Sequence, residues 1–200
     1  PLAIAYHGAT RTQIGAGDSV LIAGVGTIGI LTLQVVKAMG AGPIIAVDLD
    51  DKKLEKALRL GAAAAFKAKD PDLNARIQAA SPEGLGCHVA IDCTGIQDTV
   101  AMCVSSVRLG GRVVLVGNIA PKVDFALQAV VTREISLFGS CSSAGEYDEC
   151  LRLIAQGAVD VDSLISKAVP LKDGNAWIQK VYKGEEGLTK ILLLTDERDG

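Results

Sequence analysis

No run of lysine or arginine occurs anywhere in this 200-residue chain, and its formal net charge is −3. It therefore carries no electrostatic footprint for nucleic acid or an anionic membrane, and neither partner is expected. Apolar runs are interrupted by Gly, Thr, Gln or Lys before reaching the roughly 20 residues a membrane-spanning helix needs. No secretory leader is recognisable. The five cysteines, Cys87, Cys93, Cys103, Cys141 and Cys150, include no pair at two-residue spacing, against both a zinc ribbon and a dithiol redox motif. An odd count without a leader suits a reducing cytoplasm, and most of these thiols should be small buried hydrophobes. The two histidines, His7 and His88, belong to no metal-ligand motif and are expected in structural or surface roles. Internal repeats and low-complexity tracts are absent, apart from the small-residue stretch Ala62 to Ala65.

What is present is 49% hydrophobic and 22% charged, enough for one substantial core. Short β-branched runs alternate with longer helical patterns, separated by glycines or charged turns. "SVLIAG" (Ser19 to Gly24) reads as a buried strand, Thr27 to Met39 as a helix ended by Gly40, and "PIIAVD" (Pro43 to Asp48) as a second strand. A helix from Asp50 to Leu60 stopped by Gly61, a weak strand at Ala63 to Phe66 and a polar helix at Asp70 to Ala80 follow. "HVAIDCTG" (His88 to Gly95) supplies a fourth strand and turn, and Val100, Val104 and Val107 mark a helix. "GRVVLVG" (Gly111 to Gly117) and "EISLFG" (Glu134 to Gly139) supply two more strands. Beyond them the pattern predicts a helix from about Gly145 to Gln156, another around Asp173 to Tyr182, and an apolar strand in "LTKILLLT". Such alternation predicts an α/β fold, a doubly wound parallel sheet, because right-handed crossovers place helices on both faces. Its ligand belongs at the carboxyl ends of the strands.

Gly24, Gly26 and Gly29 form G-x-G-x-x-G between the first strand and the first long helix. Glycine there allows the tight turn, the backbone approach to a pyrophosphate and close helix-strand packing. The phosphates would sit on the helix N-terminus. The pattern alone is weak in a chain with 22 glycines, but Asp48 follows Gly29 by 19 positions and ends the second strand. That is the separation at which a carboxylate accepts from adenosine ribose hydroxyls. A carboxylate there would repel a 2′-phosphate, so NAD should be preferred to NADP. Lys52 and Lys53 close behind weaken the preference, and Lys53 could itself reach a ribose hydroxyl.

"PLAIAYHGATRTQIGAGDSVLIAGVGTIGIL", "VDLDDKKLEKALRLGA", "IDCTG", "GGRVVLVG" and "LFGS", in this order and at these separations, resemble the cofactor-binding half of zinc-dependent medium-chain dehydrogenases, nearest the sorbitol and polyol branch. The resemblance covers nearly the whole chain and implies a six-stranded Rossmann sheet carrying NAD. It also implies a C-terminal segment that returns to a GroES-like domain not contained in this sequence. Residues 1–13 would be the remnant of that upstream domain, 14–142 the NAD-binding domain and 143–200 the return segment. The family's Cys and His–Glu zinc motifs lie upstream, with a further ligand, often Glu, just before a "PL" like Pro1-Leu2; zinc would belong to the full-length parent alone. By motif, Gly24, Gly26, Thr27, Ile28 and Gly29 would line the pyrophosphate, and Asp48 and Lys53 the ribose. Cys93, Thr94 and Gly95 would lie beside the adenosine and the nicotinamide ribose. Val116, Gly117, Asn118, Ser140 and Ser142 would hold the carboxamide, and Lys190 would lie near the phosphates. "LGAAAAF" departs from the family in lacking the usual Asp after "LGA".

The implied parent reaction is hydride transfer between a secondary alcohol and NAD, with a small alcohol or ketone as substrate. Two other readings stand beside it: a methyltransferase, which also pairs a glycine loop with an acidic strand end, and a stand-alone NAD-binding redox sensor. "EISLFG" as an edge strand invites pairing with its copy, so a homodimer or homotetramer through the sheet edge is expected. The opening segment "PLAIAYHGA", starting on Pro1, reads as part of something longer, and surfaces at Leu2 to Tyr6 and Ile191 to Leu194 should be apolar and uncovered.

Overall fold

The computed structural model describes residues 1–183 and 188–195. It divides into two compact units, Pro1–Val159 and Asp160–Gly200. The tail "DERDG" lies outside the described residues.

In the first unit, helix α1 (Leu2–Thr10) is followed by β1 (Val20–Ala23), α2 (Thr27–Ala38), β2 (Ile44–Asp48), α3 (Asp51–Leu60), β3 (Ala64–Lys67) and α4 (Leu73–Ala80). Then come β4 (Cys87–Asp92), α5 (Gln97–Ser106), β5 (Val107–Leu115), α6 (Leu127–Thr132), β6 (Ser136–Gly139) and α7 (Tyr147–Ala155). The six strands form one sheet in the order β3-β2-β1-β4-β5-β6, every pairing parallel. This is the doubly wound arrangement, and the chain reverses direction across the sheet between β1 and β4.

The central strands explain themselves by burial. All four residues of β1 and the first four of β2 are buried, as unbroken apolar runs covered on both faces must be. Leu21, Ile45, Ile77, Ala90 and Val113 share one core cluster, and each fully buried Leu or Ile stabilises the fold by about 1.5–3 kcal/mol relative to exposure. Helix α3 shows its boundaries in its sequence: the Asp50 carboxylate caps it by accepting from Lys52 N–H at 2.9 Å, and Gly61 stops it with φ of +115°.

Two expectations are corrected. Val107 is not helical; it leaves α5 with extended backbone and pairs with Cys87. Its apolar spacing from Val100 and Val104 reflects a shared core, reached from a strand rather than a third helical turn. The segment Leu2–Tyr6 is not an uncovered apolar face, because α1 packs on α2 and buries Leu2, Ala3 and Ala5. Helix α7 also belongs to the first unit and is joined to α1 by His7 Nδ1 and Glu146 Oε1 at 2.5 Å.

In the second unit, β7 (Ile165–Pro170) and β8 (Lys190–Leu194) pair in parallel, with α8 (Gly174–Tyr182) between them in sequence. Gly174 packs under Leu193 there. Along β8, Ile191, Leu193 and Leu194 are part-covered and Leu192 is exposed.

Candidate functional site

The glycine loop begins where β1 stops. Gly24 takes φ of +86°, and a side chain on it would strike the Thr94 hydroxyl. Gly29 lies against the strand: an added Cβ would be 1.9 Å from the Gly24 carbonyl oxygen. Gly26 differs, since a Cβ there would meet nothing within 4 Å. It is the N-cap of α2, which has no side-chain cap and no acidic residue in its first turn, formed by Thr27, Ile28 and Gly29. The first-turn N–H groups of a helix have no partner within the helix. Open space in front of an uncapped, carboxylate-free helix start suits an anionic group.

Asp48 is fixed beside this loop. Its Oδ2 accepts from Val25 N–H at 2.8 Å and its Oδ1 from Asp50 N–H at 3.0 Å. A carboxylate has about four acceptor sites, so two remain for hydroxyl donors. Its side chain is only 11% exposed, whereas Lys53, 4.0 Å from Oδ1, is 40% exposed. The carboxylate is thus held against the loop and the ammonium faces solvent.

The neighbouring wall comes from the ends of β4 and β5. Gly95 has φ of +78°, and a Cβ there would collide with the backbone of Gly117. Asp92 organises this crossing. Fully buried, it accepts from Thr94 N–H at 3.1 Å and Gly95 N–H at 2.9 Å, while its main-chain carbonyl accepts from Val116 and Gly117 N–H. Burial raises its carboxyl above the ordinary range, against the lowering effect of hydrogen bonds from Thr99, Thr94 and Gly95. Sequence reading passed over Asp92, whose partners lie in its own turn and at the end of β5. Cys93 turns its thiol toward Thr32 on α2, with Sγ 3.9 Å from the hydroxyl, and burial pushes that thiol up to about 12. It is a wall, not a nucleophile.

These parts enclose a cleft of about 380 Å³ at the carboxyl end of the sheet, lined by Gly24, Gly26, Asp48, Lys53, Cys93 and Thr94 among others. Its far side, unforeseen from sequence, includes Lys69, Ile96 and Ile119. The remaining expected positions lie elsewhere. Gly29 packs beneath the loop, and Gly95 and Gly117 press on one another; neither they nor Thr27, Ile28, Val116 and Asn118 line the cleft. Val116 and Ser140 face Gly8 of α1, with the Ser140 hydroxyl buried and unpartnered, and Ser142 is exposed with φ of +56°. Lys190 opens β8 in the second unit. Among the described residues no group of three or more His, Cys, Asp or Glu could hold a metal ion, so these residues do not fit a zinc site.

Known proteins are similar to this chain in sequence and fold. D-xylulose reductase A of Aspergillus niger is 32% identical over 200 residues, spanning 98% of this chain and 56% of that protein. The crystal structure of 2R,3R-butanediol dehydrogenase from Bacillus subtilis superposes with a TM-score of 0.90 at 27% identity, covering 98% of this chain and 56% of that one. A Sinorhizobium meliloti 1021 protein solved bound to NADP gives 0.82 at 31% identity, over 89% of this chain and 53% of its own. The chain thus spans about half the length of the curated relatives it matches. Residues 27–156, from the uncapped start of α2 through α7, match the zinc-binding dehydrogenase family, and the chain belongs to that family.

Proposed function

We propose that the first unit binds a nicotinamide dinucleotide along the carboxyl ends of β1, β2, β4 and β5, and that the full protein transfers hydride between a secondary alcohol and NAD. The observation that carries this reading is the open Gly26 at the uncapped N-terminus of α2, beside a carboxylate already held in place at Asp48. The pyrophosphate would lie on the first-turn N–H groups of α2. Asp48 would use its two spare acceptor sites on the adenosine ribose, and Thr94 and Ile96 would flank the adenosine. When bound, the cofactor supplies a nicotinamide carbon that takes hydride from the carbinol carbon. Val116, Gly117, Asn118, Ser140 and Ser142, on the loops after β5 and β6, are the candidate contacts to its carboxamide.

Names of the relatives support polyols or diols as the substrate class: one similar protein is a D-xylulose reductase and another a butanediol dehydrogenase. In a zinc-binding dehydrogenase the metal site would come from outside the described residues. The S. meliloti relative was solved with NADP, so membership of the family does not choose the cofactor; Asp48 does, in favour of NAD. No described helix is long and apolar enough to cross a membrane. A second copy of the chain would pair at the β6 edge. Fluorescence titration with NADH and NADPH tests the central reading: saturable binding that favours NADH supports it, and S-adenosylmethionine binding without NADH binding would replace it with the methyltransferase alternative.

A further inference from the structure

Charge at the adenosine end of the cleft is not set by Asp48 alone. Three lysines lie around that carboxylate. Lys67 is the register partner of Asp48 on the adjacent strand, but its Nζ is committed to the Leu49 carbonyl at 2.9 Å and the Asp51 carboxylate at 2.8 Å. Lys53 stands 4.0 Å from Asp48 itself. Lys69 follows directly on the backbone bond from Ala68 N–H to the Asp48 carbonyl, lines the same cleft, and has no hydrogen bond or ion pair among the described residues. The Asp48 oxygens meanwhile each accept a backbone N–H, which offsets part of the field they present to a ligand.

Resting on the dinucleotide reading, we infer that Lys69 is a specificity-determining residue: its free ammonium gives this cleft affinity for an adenosine 2′-phosphate and narrows the preference for NAD that Asp48 imposes. An ammonium on a four-carbon stem is a mobile point charge suited to a phosphate at the cleft mouth, and it gains little from a neutral ribose hydroxyl. Asp48 opposes a 2′-phosphate and Lys69 attracts one, so the ratio of the two affinities reports on Lys69 more directly than either affinity does. Because Lys69 is exposed, its contribution should fade as ionic strength rises.

The test is a titration of wild type, Lys69→Ala and Lys69→Arg with NADH and NADPH, at low and moderate salt. Wild type should bind both, NADH more tightly. Lys69→Ala should raise the NADPH-to-NADH ratio of Kd about twofold to fivefold, the scale of one exposed charge pair. Lys69→Arg should restore the ratio, and added salt should shrink the difference. An unchanged ratio in Lys69→Ala, or wild type that binds NADH and no NADPH, overturns the role of Lys69 and leaves the dinucleotide site standing. Wild type that binds neither overturns the dinucleotide reading itself.

Discussion

Three glycines that look alike in the sequence do different work at the residue scale. Gly29 is held by packing: a methyl group would enter the Gly24 carbonyl oxygen. Gly26 is not, for its φ of −68° is available to any residue and the space beyond it is open. Gly29→Ala should therefore lower stability by about 1–3 kcal/mol, as overpacking does, measured as a shift in the urea midpoint. Gly26→Ala should leave the midpoint unchanged within error and weaken NADH about tenfold or more, by occupying phosphate space. The G-x-G-x-x-G pattern revealed that glycines were needed, but a pattern cannot separate packing from ligand clearance; only the neighbours do. Asp92 was illegible for a related reason. Its partners are the N–H groups of its own turn and of the β5 end, and no spacing rule encodes them.

At the level of elements, strands and helices were legible wherever periodicity and end signals agreed. Asp50 and Gly61 mark α3 as clearly in the sequence as in the fold. Legibility failed where burial came from a partner remote in sequence. The apolar α1 reads as an uncovered surface until α2 is packed on it, and Val107 joins a helical spacing while lying in β5. Elements are also tied at their entrances, at the opposite end of the sheet from the cleft. Arg112 on β5 bonds the Asp18 carboxylate and the carbonyls of Thr12 and Gln13, with His88 Nε2 3.9 Å from Asp18. Burial alone would raise the Asp18 carboxyl, yet the Gly15 N–H and the Arg112 guanidinium outweigh it and hold it below the ordinary range. A carboxyl lowered in the folded state contributes stability above its unfolded value, and that contribution is lost as pH falls through its folded one. Wild type should therefore exceed Asp18→Asn in urea midpoint near neutral pH. The gap should close between about pH 4 and the acid limit of folding; a gap that stayed constant would show that the pair does not titrate as described.

For the whole molecule, β6 is one of the two edge strands of the six-stranded sheet among the described residues. Its Leu137 and Phe138 are part-covered, and Leu127 and Val131 on the preceding α6 are exposed. An apolar edge of this kind invites a second copy. Self-association in analytical ultracentrifugation should be abolished by the double variant Leu127→Lys/Val131→Lys, both exposed, with the circular dichroism spectrum retained; a monomeric wild type would refute the edge as a pairing surface. The fold class was the most legible feature at this scale, because alternating strand and helix patterns leave few topologies once crossovers must be right-handed. The described residues hold no group of three or more His, Cys, Asp or Glu that could bind a metal ion.

The most direct test of the account is an NADH titration of this chain beside its Gly26→Ala variant, with the unfolding midpoint of each measured in parallel. The account predicts saturable NADH binding by wild type, loss of about tenfold or more in the variant, and equal midpoints. Equal affinity in the two folded proteins would contradict it, because the phosphates could then not lie in front of α2.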